Sequence, residues 1–239
     1  MKSDKKDLIK RGWIDDYYLE DFLNFNQEEL LKLLSSNDPC ERSAAASLLG
    51  VKFNVNEKIV YSSLVKSLSI EKALYTKLQI SRSLEKGNFI VAEYMIGYLG
   101  KIGNNQHKKL PNTVSKKKSY PLPRDIIARI LGKMDKSNFS VLLSSLDSCV
   151  ADQITELLDA IGFMVFYNPN LAILENLKPI LGVLDKYEDN ILIVWKVCMV
   201  LSAFPLDESV FILNKIKSHY GVDLILLEVE RSLNLINGD

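Results

Sequence analysis

Histidine is nearly absent from this chain. His107 and His219 are the only two, too few for a zinc site of ordinary spacing. Cysteine is scarce as well: Cys40, Cys149 and Cys198 form no CxxC pair, and each lies in an apolar helical pattern, so each reads as a buried reduced thiol. Eleven Gly and seven Pro are few for the many tight turns of an all-β protein. The sequence holds no Gly-rich phosphate loop, no nucleophile elbow and no HExxH. Its most apolar run, Ile191 to Phe204, is interrupted by Lys196 and falls short of the roughly 20 residues a membrane span needs. The opening MKSDKKDLIKRG lacks the apolar stretch of a secretory signal, so a cytoplasmic protein is expected, and Asn138-Phe139-Ser140 reads as a chance glycosylation sequon. These absences predict no metal, no cofactor and no catalytic residues.

What the chain does have is enough apolar content to fold, 47% hydrophobic against 25% charged, which excludes a disordered polyelectrolyte. The net charge of zero hides an asymmetry. Residues 101–135 carry 9 basic and 2 acidic side chains, whereas residues 136–239 carry 7 basic and 14 acidic. A basic centre is thus joined to an acidic C-terminal half.

Helical periodicity runs nearly throughout. Val60, Leu64 and Leu68 share one face, as do Met95, Leu99 and Ile102. Val150, Ile154, Leu157, Ile161 and Met164 form a third stripe, and Val222, Ile225, Val229, Leu233 and Ile236 a last one. No stretch alternates with period two, so an all-α fold is predicted. The helices group in pairs whose first members start near residues 39, 71, 123, 149, 189 and 222. With an irregular stretch of about 20 residues set aside, these starts repeat at about 30–45 residues, the step of helical-hairpin repeats. Segments 16–24 and 27–35 would form a capping pair.

Within Asp38-Pro39-Cys40-Glu41-Arg42-Ser43-Ala44-Ala45-Ala46-Ser47-Leu48-Leu49-Gly50 a turn Asp precedes an Arg, paired Ala and a closing Leu-Gly. This segment resembles the first helix of a HEAT-like repeat of the phycobilisome-lyase, armadillo-like type, with fragments at Leu99-Gly100, Leu131-Gly132 and Ile161-Gly162. Asp38 would cap the helix, the alanines admit a close neighbour, and Gly50 relieves crowding. Segment 104–129 is similar to an inter-repeat loop of bacterial HEAT-repeat proteins. The resemblance implies one domain over residues 1–239, an α-solenoid of about six antiparallel helix pairs in a right-handed superhelix, with a basic inter-repeat loop at 103–123. It also implies protein binding.

That loop is the candidate site, because long irregular connections inside a domain are commonly functional. Asn104, Asn105, His107, Lys108, Lys109, Lys116, Lys117, Lys118, Tyr120 and Arg124 are its candidate partner-binding residues. Two other readings stay open: a solvated flexible loop, and a loop lying across the acidic C-terminal half. Arg129 is expected to pair with Asp125 one turn earlier. The sequence therefore predicts a non-catalytic scaffold that takes a protein partner, acidic in character, through its concave face and the 104–124 loop. The alternatives are a nucleic-acid-binding or DNA-glycosylase-like HEAT enzyme and a lyase-type relative. Nucleic acid is disfavoured by the acidic C-terminal half and by Trp195, which the apolar helix around it places in the core.

Overall fold

The structure, a computed structural model, describes residues 4–238. Among them lie fourteen α-helices, two short 3-10 turns and no strand. None of these helices is long and apolar enough to cross a membrane. The chain divides into two compact units, Met1–Val91 and Ala92–Asp239.

In the first unit, α1 (Lys5–Lys10), α2 (Asp16–Glu20) and α3 (Gln27–Leu33) precede the longer α4 (Pro39–Lys52), α5 (Lys58–Ile70) and α6 (Leu74–Leu84). The local chemistry sets these starts. Asp15 caps α2, and Asn26 caps α3 in a capping box with Glu29. Asp38 accepts the Cys40 N–H at 2.8 Å, with Pro39 at the first helical position where its missing N–H costs nothing. Ala44, Ala45 and Ala46 are fully buried, so α6 approaches closely enough for the Ser83 hydroxyl to donate to the Ala46 carbonyl at 2.7 Å. A Cβ on Gly50 would collide with Ser83, so this contact requires glycine.

Arg42 staples two turns of this unit together. Its Nε and Nη2 grip the Glu71 carboxylate at 2.7 and 2.9 Å, and Nη1 donates to the Ser36 carbonyl at 2.7 Å. Glu71 in turn accepts the Lys72 and Ala73 N–H groups, 2.8 Å each, just ahead of α6. The guanidinium and these N–H groups hold the Glu71 carboxyl below its ordinary value, against the opposing pull of burial.

Helix α7 (Phe89–Ile96) spans the division in sequence. The second unit continues with α8 (Ile126–Lys133), α9 (Phe139–Ser144), α10 (Ala151–Tyr167), α11 (Leu174–Lys186), α12 (Ile191–Leu201), α13 (Asp207–His219) and α14 (Asp223–Asn237). Here α8, α10, α12 and α14 pack successively, α10 on α8, α12 on α10 and α14 on α12. The intervening helices lie against them, α9 on α10 and α11, α11 on α12, and α13 on α14.

The helices expected near 39, 71, 123, 149, 189 and 222 begin at Pro39, Leu74, Ile126, Ala151, Ile191 and Asp223. Val150, expected to open a buried stripe, instead precedes α10 and is 63% exposed. Helix α12 is the most enclosed. Asn190 caps it by accepting the Leu192 and Ile193 N–H groups, and every residue from Ile193 to Leu201 is buried. Leu201→Ala should therefore cost about 2–5 kcal/mol in urea unfolding, the range for a buried leucine whose site collapses only in part. A loss below about 1 kcal/mol would mean that α12 is not enclosed in solution.

Candidate functional site

Between α7 and α8 the chain runs without helix from Gly97 to Asp125, a strap that lies across helices of its own unit. Its two ends are tied first. Gly100 and Gly103 take left-handed backbone, φ +75° and +79°, which turns the chain out of α7. Asp125 is fully buried at the start of α8 and serves three donors. Its Oδ1 accepts the Ala128 N–H at 2.9 Å, while Oδ2 accepts the Gln106 amide at 2.8 Å and the Gly100 N–H at 3.3 Å. Arg129 does not pair with this carboxylate. Its Nε and Nη2 donate to the Pro123 carbonyl at 3.0 and 2.9 Å, because the three neutral donors already hold Asp125.

Two further anchors pin the middle of the strap. At the first, the His107 ring stands edge-on to Trp195, ring centres 4.9 Å apart, with Nδ1 3.3 Å from Lys196 Nζ and Nε2 3.1 Å from Arg124. At the second, Tyr120 is buried against Gly162 of α10, so closely that any Cβ there would enter its ring. Arg231 of α14 clamps the same end: Nη2 donates to the Ser119 carbonyl at 3.1 Å and the Lys117 carbonyl at 3.4 Å, and Nη1 to Glu228 at 2.8 Å. Glu228 also accepts the Trp195 indole N–H at 3.1 Å.

The floor beneath the strap is unusually ionic for a helical core. Lys196 is fully buried and donates to Asp159 Oδ2 at 2.5 Å. Asp159 and Glu156, both on α10, are 3% and 1% exposed. Burial pushes the Glu156 carboxyl up to about 8, partly offset by Lys196. Burial also raises Asp159, although Lys196 pulls it down. Burial likewise raises Glu228 against Arg231, and it raises the Tyr120 phenol with help from Asp159 and Glu228. His107 moves the other way, down to about 4, through burial first and then the neighbouring Lys196 and Arg124. Glu156 Oε2, Asp159 Oδ1, Tyr120 OH, Gln106 Oε1 and Arg231 Nε are buried with no protein hydrogen-bond partner.

The ten candidate residues thus separate into two groups. His107 and Tyr120 face inward and act as anchors. Asn104, Asn105, Lys108, Lys109, Lys116, Lys117, Lys118 and Arg124 are exposed. Among the described residues, none of Lys108, Lys109, Lys116, Lys117 and Lys118 pairs with a carboxylate. The anchors of the strap lie against α10, α12 and α14 of the C-terminal half. Lys196, Asp159, Glu156, Gly162, Glu228 and Arg231 were not legible as partners of the strap. The one available signal was Lys196 itself, since a lysine in an otherwise apolar helix needs a buried counter-charge.

Among the described residues, no three His, Cys, Asp or Glu side chains gather so as to hold a metal ion, and Cys40, Cys149 and Cys198 are buried free thiols. No protein-family model matches the chain, and no curated protein matches it in sequence.

Proposed function

We propose that this protein is a non-catalytic interaction module, an α-solenoid of HEAT-like helix pairs that docks an acidic protein segment on its lysine strap. One observation carries the reading. The strap is pinned on both sides of its exposed arc, at His107 and at the Arg231–Tyr120 clamp, while Lys108, Lys109, Lys116, Lys117 and Lys118 project unpaired between or beside the pins. Positive charge held on an anchored chain is pre-ordered for a partner, so association loses less conformational entropy than on a free loop. The successive packing of α8, α10, α12 and α14, with α9, α11 and α13 alongside, supports the repeat assignment. A short acidic segment fits better than a nucleic acid, because residues 136–239 carry 14 acidic against 7 basic side chains, a balance unlike the basic surface a long polyanion needs.

The test compares wild type with the Lys116→Ser, Lys117→Ser, Lys118→Ser triple variant, using labelled polyaspartate and a DNA duplex as probes. Wild type should bind polyaspartate in a salt-sensitive way, and the triple variant on the order of tenfold more weakly, since each exposed ionic contact is modest. Its melting temperature should stay level, because among the described residues none of the three ammonium groups forms an ion pair. Tighter binding of DNA than of polyaspartate would replace this reading with the nucleic-acid one.

A further inference from the structure

We propose that His107 is a proton-operated latch: protonating the imidazole held between Lys196 and Arg124 releases the first anchor of the strap and uncovers Trp195 and Lys196. The consequence for docking rests on the function proposed above; the latch itself does not.

The geometry carries the argument. A neutral imidazole has one N–H and one lone pair, whereas lysine and arginine can only donate. With Lys196 Nζ 3.3 Å from Nδ1 and Arg124 3.1 Å from Nε2, the neutral ring accepts from one cation and turns its N–H towards the other. The imidazolium accepts from neither. The charged groups of the neighbouring elements face other partners or are neutral, although Asp159 Oδ1 and Glu156 Oε2 have no protein hydrogen-bond partner. On α10, Asp159 holds Lys196, and Glu156 is neutral below about pH 8. In the strap, Asp125 serves Ala128, Gln106 and Gly100. On α14, Glu228 holds Arg231 and the Trp195 indole. Among the described residues no carboxylate hydrogen-bonds to His107, so its proton would add a third cation beside Lys196 and Arg124.

The sign of the pH effect follows. His107 is held low, so its docking contribution is present above its ordinary 6.5 and is lost as pH falls through about 4. Glu156 runs the opposite way: raised from 4.5 to about 8, its contribution is full below 4.5 and is lost as pH rises through about 8. Between 4.5 and 6.5 the slopes of these two contributions oppose each other and largely offset.

A Trp13→Phe background leaves Trp195 as the sole indole. Acrylamide quenching of its emission, followed beside far-UV circular dichroism, should rise several-fold between pH 6.5 and about 4 with no loss of helix. His107→Gln, which keeps an acceptor and a donor but cannot take the proton, should abolish the rise. Arg124→Gln, which removes one repelling cation, should move it to lower pH. A rise that survives His107→Gln, that coincides with helix loss, or that is missing above pH 4 overturns the latch. Polyaspartate separates the two readings. No binding at neutral pH overturns the docking function and leaves the fluorescence to decide the latch. Binding that changes along with the fluorescence supports regulation, and binding that ignores it overturns regulation.

Discussion

Asp159→Ala should lower the unfolding free energy by about 3–5 kcal/mol, the cost of leaving a buried charge without its partner. Lys196 is fully enclosed, and after that change its ammonium would face the Trp195 ring and the His107 imidazole with no anion in contact. Lys196→Met should cost less, about 1–2 kcal/mol near neutral pH, because burial already raises the Asp159 carboxyl and a proton can replace the lysine. The asymmetry distinguishes this pair from a surface salt bridge, whose partners are each worth little. The double variant Asp159→Leu, Lys196→Met should recover most of the loss, since well-packed apolar replacements of buried ion pairs are often neutral or better. Urea unfolding of wild type, Asp159→Leu, Lys196→Met and the double variant forms the cycle. Simple additivity of the two single losses would show that the 2.5 Å contact contributes no coupling.

At the other anchor, Tyr120→Ala should cost about 3–5 kcal/mol, as expected for removing a fully enclosed aromatic side chain. Tyr120→Phe should leave stability level or raise it by up to about 1 kcal/mol, because the hydroxyl it removes is buried without a protein partner. The contrast separates the aromatic ring from its hydroxyl, both of which lie in the notch at Gly162. Gly162→Ala should imitate Tyr120→Ala by closing that notch from the α10 side. Beyond the melting temperature, trypsin provides a local readout at Lys116, Lys117 and Lys118. Cleavage there should accelerate in Tyr120→Ala and stay slow in Tyr120→Phe; equal rates in both would show that the strap is held without Tyr120.

Much of the helical framework was legible in the sequence, for an identifiable reason. Helix starts are written locally. Asp38 before Pro39 and a turn acid or amide before an apolar run are signals that need no knowledge of distant residues. The extent and charge of the strap were legible as well, from the break in periodicity and the clustered lysines. Its direction was not. His107 and Tyr120 look like solvent-facing members of a basic loop until Trp195, Lys196, Gly162 and Arg231 are placed beside them, and these contacts join residues far apart in the chain. Gly162 shows the limit most plainly. As Ile161-Gly162 it read as a repeat fragment, whereas its role is to make room for a ring 42 positions earlier. Asp125 and Arg129 sit one turn apart, yet helix spacing alone could not foresee that Gln106 and Gly100 would occupy the carboxylate first.

The arc from Lys108 to Lys116 lies between contacts made by other residues: His107 holds one end, and the Lys117 carbonyl under Arg231 holds the other. Asn112 and Thr113 at its middle are exposed. Doubling the length of such a closed arc adds only about 0.6 kcal/mol of chain entropy, so a guest peptide spliced between these two residues would ride on a scaffold that scarcely registers its length. Seen in this way, the strap separates two kinds of change. Mutations at its tethers act on folding, whereas insertions and replacements within the arc can diverge freely, a division by which one framework could exchange recognition sequences while its architecture stays fixed.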